Sequence, residues 1–487
     1  MRIGLQFLPE HCCIRRARLE YAFRVFCAIY GHEPVTDMGE SADVYLAYSA
    51  GTNASTGRPR LAVSSLYQVR KLDEPAPSPH RFAAGSEETV LFWPPSEGRQ
   101  PDWLGEIFEW ISCADEYAVQ ARDYVGRIPF KDSYAGRHGL DASRPYAAIA
   151  MHLLQRAICA VLPRAISRPC PPVAGFQQLI VNTHDVDYLP TSRYANVVRL
   201  TKNSGVSLLL HKRPGLAIKQ LARAARAAVG AENSLDQLLR LAAKEEEHGI
   251  KGSYYFIPAQ RHRRDANYRI EHPRAIAGMR ELERRGMEIG VHGSYTSLDC
   301  DTQLESEFRT LESLGFAPRG GRQHWLRFTL PGLIRATERV GSDYDASLGW
   351  SERIGFRAGA CFAFPPYNFD EERASSFLEI PLAVMEGSLM DQGLREEEWY
   401  AAVSQLLETS RRYGWGGISI LWHPTAFGGS QLPQAADDLF WELVKSTTHN
   451  GDGWMTGAGF FQQVQQRYKD AGLLCAAGHL ASEAVPS

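Results

Sequence analysis

The run Leu179-Ile180-Val181, continued as Asn182-Thr183-His184-Asp185-Val186-Asp187, constrains the fold of this chain more than any other stretch. A short apolar, β-branched run without alternation predicts a strand buried on both faces, as in parallel sheets covered by helices. In a β/α barrel the reacting groups lie where such strands end, which puts Asp185 and Asp187 at an expected site of chemistry. Taken alone, an Asp-x-Asp after a strand is equally a polar turn.

The rest of the chain breaks that tie. Strand-like runs over 253–257, 288–291, 356–364, 378–385 and 417–422 alternate with helical patterns over 273–285, 303–314, 333–340 and 396–413. This rhythm predicts an α/β fold, with βα units closing into a barrel or winding into an open sheet. Residues 1 to 130 also alternate short strands with helices, but without clustered catalytic residue types. Amphipathic helices are expected over 102–115 and 145–162. The prolines of Ser167-Arg168-Pro169-Cys170-Pro171-Pro172 block helix and central strand and mark a linker. The expected organisation is therefore an α/β N-terminal accessory domain with a helical connector (1–170), a β/α barrel domain (173–468) and a flexible tail (470–487). The N-terminal part reads as a scaffold packed on the barrel, with substrate gripping or oligomerisation as the alternative. Within the barrel, 188–250 is a helical insertion whose cations include Lys212, Arg213, Lys219, Arg223 and Arg226. Such a face is usually solvated surface; an anionic polymer, a nucleotide-sugar or a membrane surface are the alternatives.

Composition narrows the function. With 53 basic and 56 acidic residues the chain has no general drive toward nucleic acid or an anionic membrane. Its nine cysteines are odd in number, scattered and never spaced Cys-x-x-Cys, which predicts reduced thiols and a cytoplasmic protein. No apolar leader and no run of roughly 20 apolar residues is present, so a transmembrane segment is not expected. Nucleotide-binding glycine fingerprints, His-Glu-x-x-His and Gly-x-Ser-x-Gly are also missing from the sequence.

Three later segments repeat the design of the opening strand. His292 follows an apolar run in Glu288-Ile289-Gly290-Val291-His292-Gly293-Ser294-Tyr295. Gly320-Gly321-Arg322-Gln323-His324-Trp325-Leu326-Arg327 packs a histidine, two arginines and an aromatic ring into one loop, and Ile418-Ser419-Ile420-Leu421-Trp422 ends on His423. One histidine at a strand end is more often a hydrogen-bonding residue than a ligand. Repetition of the placement in one βα series favours a site. Carboxylate and imidazole together suit zinc or a similar divalent ion, with cobalt or nickel as alternatives. A second carboxylate can take a proton from water and a histidine opposite can protonate a leaving group.

Taken in order, these motifs resemble the polysaccharide deacetylase superfamily, carbohydrate esterase family 4 with its NodB homology fold, over residues 175 to 465. They are similar to a bacterial subgroup with an extra N-terminal domain. The resemblance implies a distorted β/α barrel that removes acetyl groups from an N-acetylated sugar or sugar conjugate. On Thr183-His184-Asp185-Val186-Asp187 it implies Asp185 as general base and Asp187 as metal ligand. His292 matches the first histidine of a His-x-x-x-His motif, whereas Thr296 stands where the second belongs. His324, beside Arg322 in the third motif, is the replacement candidate, with His184 the weaker one. Arg357 in Gly355-Phe356-Arg357-Ala358-Gly359 is expected to orient Asp185, and His423 to be the catalytic acid. Tyr295, Trp325 and Trp422 are candidate sugar-stacking residues, followed by Trp350 and Tyr367. Two rival readings are a decayed carbohydrate-binding scaffold and a hydrolase of another C–N bond, such as a formamide or cyclic amide.

Overall fold

The computed structural model describes residues 1–474 apart from 8–10, 37–40, 49–58, 96–98, 164–167, 172, 190–192, 210, 211, 213, 230–233, 301, 430 and 431. Ser167 and Pro172 of the expected linker, Arg213 and most of the expected tail (475–487) therefore lie outside the described residues.

The chain begins with a parallel sheet of β1 (Arg2–Gln6), β2 (Glu33–Val35), β3 (Val44–Ala47) and β4 (Arg60–Ala62), in the order β2-β1-β3-β4. A hairpin of β5 (His80–Ala84) and β6 (Glu87–Leu91) follows. The helix Cys13–Tyr30 carries this layer onto the second half of the chain. Its Tyr21 hydroxyl donates to the Pro365 carbonyl at 2.7 Å, and its Ile29 carbonyl accepts from Trp415 Nε1 at 3.1 Å. One continuous apolar core runs from Ile3 through Phe108 to Trp415 and Phe460.

The second half is a barrel of parallel strands. β7 (Leu179–Val186), β8 (Ser253–Phe256), β9 (Glu288–Gly293), β10 (Gly320–Gln323) and β11 (Tyr344–Asp345) lie side by side in chain order. A short hairpin of β12 (Tyr367–Asn368) and β13 (Arg373–Ala374) stands apart from them. β14 (Leu378–Glu379) pairs with β11, and β15 (Leu382–Met385) pairs with β16 (Gly416–Leu421), which returns to β7. Closure is made by the two residues between β14 and β15. Ile380 N donates to the Asp345 carbonyl, while the Pro381 carbonyl accepts from Ser419 N. Pro381 has no N–H to give a ladder, which is why this strand is broken where it crosses from one neighbour to the other. β17 (Gly453–Met455) pairs with the first half of β7, leaving Thr183–Val186 to β8. The fold is thus a distorted β/α barrel preceded by a smaller α/β layer.

The apolar stretch 356–364 is not the strand its composition predicts; it forms turns with a single bridge from Phe364 to Glu379. Gly355 and Gly359 adopt positive φ there, and the Gly359 carbonyl accepts the Ala147 and Ala148 amides that open the helix Tyr146–Val161. Its apolar side chains are buried by that packing rather than by a sheet.

β7 is held from outside as well as by its neighbours. Glu245, at the end of the helix Ser234–Glu247, accepts from Asn182 Nδ2, from His184 Nε2 at 2.8 Å and from the Tyr254 hydroxyl at 2.6 Å, all with the carboxylate fully buried. Replacing Glu245 by Ala leaves these groups buried without their partner, and the loss expected is about 3 kcal/mol. Urea unfolding of the variant should show this as a lower midpoint with unchanged cooperativity; an unaltered midpoint would contradict the role of Glu245.

Candidate functional site

The C-terminal ends of β7, β9, β10 and β16 converge on a pocket of about 240 Å³ lined by Asp185, Asp187, His292, His324 and His423. Tight spacing at the strand ends needs glycine. A Cβ on Gly293 would collide with the Gln323 side chain, and one on Gly321 with the Val291 backbone.

Each histidine is oriented by a partner behind it. His292 Nδ1 lies 2.9 Å from the Arg322 carbonyl, and His324 Nε2 lies 2.7 Å from the Arg264 carbonyl. A carbonyl only accepts, so these outward nitrogens carry protons, and it is the inward nitrogens that a neutral ring leaves as lone pairs. Those inward atoms, His292 Nε2 and His324 Nδ1, sit 3.0 Å apart. Asp187 Oδ1 is 3.2 Å from the first and 3.4 Å from the second, and is a buried oxygen that accepts no hydrogen bond. Two lone pairs and an anionic oxygen facing one another repel unless a cation or a shared proton lies among them. Asp187, His292 and His324 form the group of side chains, among the described residues, that could hold a metal ion, with ligand atoms all within 4.8 Å of one another. The donor set of one carboxylate and two imidazoles with outward partners fits zinc or a comparable divalent ion.

Asp185 stands beside this group, its Oδ2 3.5 Å from His292 Nε2. Its other oxygen takes a hydrogen bond from Arg322 Nη1 at 3.0 Å. Arg322 is fully buried in the barrel and also donates to Thr183 Oγ1, Ser419 Oγ and the Ala346 carbonyl. Nearby, burial pushes the Asp345 carboxyl up to about 6, and burial with the Asp345 charge raises Glu379 well above its usual range.

His423 faces the same space, with Nε2 3.5 Å from Asp187 Oδ2 and Nδ1 2.6 Å from Glu386 Oε1. Burial works to lower its pKa, but the Glu386 carboxylate, helped by Asp187 and Asp185, pushes it up to about 10. Burial also works to raise Asp187; the surrounding imidazoles, His324 foremost, outweigh it and hold the carboxyl well below its usual range. His324 is in turn raised despite burial, chiefly by Asp187.

Several expected residues stand elsewhere. Arg357, expected to orient Asp185, is clamped instead on Glu116 at 2.7 Å between the rings of Phe328 and Trp350; the guanidinium on Asp185 belongs to Arg322. His184 points away from the pocket toward Glu245 and the Trp422 carbonyl. Thr296 accepts from Gln303 and is not among the residues lining the pocket. Trp422 is fully buried, donating to the Ala436 carbonyl, and cannot stack on a ligand. Tyr295 lies outside the lining, stacked on His262 and held by Arg264. Trp350 and Tyr367 are core residues. Trp325 does line the pocket, 38% exposed, with its backbone in the left-handed region at φ 63. Such strain in a non-glycine residue is held by its surroundings, here Arg127 Nη1 on the Trp325 carbonyl at 3.0 Å.

Glu386, which sequence reasoning missed, follows the last residue of β15 and opens the helix Glu386–Asp391. Tyr124 and Arg127 come from a loop far away in sequence and carry no local signal.

No protein-family model matches the chain, and no curated protein matches it. Among solved structures it is similar to a polysaccharide deacetylase from Bacillus cereus, at 10% identity over 57% of this chain and 91% of that one, with a TM-score of 0.29. It is also similar to a peptidoglycan deacetylase from Bacillus subtilis, at 12% identity over 62% and 98%, TM-score 0.28 to 0.29 in two structures. A third similarity is to the chitin deacetylase of the fungal pathogen Colletotrichum lindemuthianum, at 12% identity over 60% and 90%, TM-score 0.31.

The Glu386 carboxylate favours the imidazolium, so Glu386→Gln should lower the His423 pKa from about 10. Histidine titration by NMR in metal-free protein measures this; an unmoved His423 resonance would refute the pairing. The structures this chain resembles are deacetylases of polysaccharide, peptidoglycan and chitin.

Proposed function

We propose that this protein is a metal-dependent hydrolase that removes an acetyl group from an N-acetylated sugar or sugar conjugate. The observation that carries the reading is the convergence of the inward ring nitrogens of His292 and His324 on Asp187 Oδ1, with Asp185 and His423 on the rim. Asp187, His292 and His324 would hold the ion, His324 supplying the ligand that Thr296 does not. A divalent ion in such a site supplies Lewis acidity to the reacting carbonyl and its water.

The chain's own groups supply the proton transfers. Arg322 holds one oxygen of Asp185 and so aims the carboxylate into the pocket, where its other oxygen can take a proton from the attacking water. His423, protonated by virtue of Glu386, gives a proton to the amine nitrogen as the C–N bond breaks. The pocket is smaller than the roughly 300 Å³ or more of drug-sized sites. Leu326, Met385 and Leu421 form an apolar wall suited to the acyl methyl, and Trp325 and Tyr124 stand as rings against which a sugar could lie.

Purified protein with zinc should release acetate, not formate, from N-acetylated amino-sugar oligomers. Asp185→Asn should lower kcat by about 10³-fold while zinc stays bound. Asp187→Asn and His324→Ala should lose zinc in elemental analysis of the gel-filtered protein. Undiminished hydrolysis by Asp185→Asn would remove it as the base, and release of formate alone would redirect the reading to another C–N bond.

A further inference from the structure

The segment that leaves β7 two residues after Asp187 is built inside out. Its helices Arg193–Leu209 and Pro214–Ala228 pack as an antiparallel hairpin. Among the described side chains, the seam between them is small or polar apart from Leu200 and the half-buried Val197: Asn196, Ser204 and Ser207 are buried with Ala217, Gln220 and Ala224, and Ser204 Oγ donates to the Ala217 carbonyl at 2.9 Å. Most of the described large apolar side chains point outward. On the first helix Tyr194, Val198, Leu208 and Leu209 are exposed, and on the second Ile218, Leu221 and, just beyond its end, Val229, with Leu209 76% and Ile218 67% accessible. These seven make up most of the large apolar side chains that stand exposed among the described residues. A water-soluble hairpin buries such residues in its seam.

Charge completes the pattern. From Tyr188 to Gly230 the sequence has eight lysines and arginines and not one aspartate or glutamate, in a chain where acidic residues outnumber basic ones. Lys202, Lys212, Lys219 and Arg226 are exposed beside the apolar side chains. Helical faces that combine outward aliphatics with a rim of cations match the interfacial zone of an anionic bilayer, where apolar groups enter the acyl boundary and cations meet lipid phosphates. Neither helix is long and apolar enough to cross a membrane, as no described helix is. The hairpin is tied to the body at the pocket end of the barrel. Arg223 donates to the Gly428 carbonyl at 3.2 Å, and Gln237 joins Arg223 to the Pro424 carbonyl, next to His423.

We propose that the hairpin of residues 193–229 is a membrane-docking element that adsorbs to an anionic phospholipid surface, lying in the interface and holding the pocket end of the barrel near it. The inference stands apart from the hydrolase reading, because it rests on the outer surface of the hairpin alone. The test is flotation of the full-length protein with vesicles of phosphatidylcholine alone or with phosphatidylglycerol added. Wild-type protein should float with the anionic vesicles and stay behind with the neutral ones. Leu209→Glu/Ile218→Glu, at exposed positions that leave the seam intact, should weaken binding about tenfold or more, and Lys202→Glu/Lys219→Glu/Arg226→Glu should do so comparably. Circular dichroism checks that both variants are folded. Failure of the wild type to float, or flotation equal in the variants, would overturn the proposal. So would a wild-type dimer in light scattering that Ile218→Glu converts to monomer without any vesicle binding, since the face would then be a contact between two copies of this chain.

Discussion

Arg322 is the strut on which the barrel and its site both depend. Its guanidinium lies fully buried in the barrel and donates to Thr183 and Asp185 on β7, Ser419 on β16 and the carbonyl of Ala346 just after β11. A buried arginine is tolerated only when its donors are met and its charge is answered, and here Asp185 is the near anion. The same contact that makes the arginine tolerable fixes the carboxylate at the pocket floor. The Arg322 carbonyl, on the other side of the residue, fixes the His292 ring. One residue therefore sets two neighbouring functional groups.

The remaining groups repeat this logic of support from behind. His324 is turned by the Arg264 carbonyl, His423 by Glu386, and the strained Trp325 backbone by Arg127. Arg127 is itself paired with Asp123, whose carboxylate also gathers the amides of Val125, Gly126 and Arg127 into a tight loop. That loop places Tyr124, 73% exposed, at the pocket mouth. Residues before the barrel thus contribute to its pocket as well as to its core, the cavity having one wall from each half of the chain.

Much of this was legible because strands buried on both faces tolerate polar residues only where they emerge. The ends of β7, β9 and β16 show as apolar runs closing on Asp185, His292 and His423, whereas β10, with the sequence Gly-Gly-Arg-Gln, reads as a loop and is a strand in the structure. Direction was not legible. The sequence puts Arg322 in a loop and Arg357 in a strand-like run, and the structure reverses them: Arg322 lies on β10, paired in register with His292 and pointing inward, while Arg357 lies in turns that pack on Glu116. Trp422 follows a strand end yet buries its ring against Ala436, because the next helix covers that side. Glu386 carries no signal of its own, because a glutamate after a strand-like run is also an ordinary first-turn residue of a helix, and nothing local links Tyr124 and Arg127 to residues about 200 positions away.

The account turns on three ligands meeting at one point, which X-ray absorption at the zinc edge measures directly on protein loaded with one equivalent of zinc. It predicts a first shell of nitrogen and oxygen at about 2.0–2.2 Å, with multiple-scattering features of two imidazoles, one of which disappears in His324→Ala. A shell with no imidazole, or one that His324→Ala leaves unchanged, would contradict it.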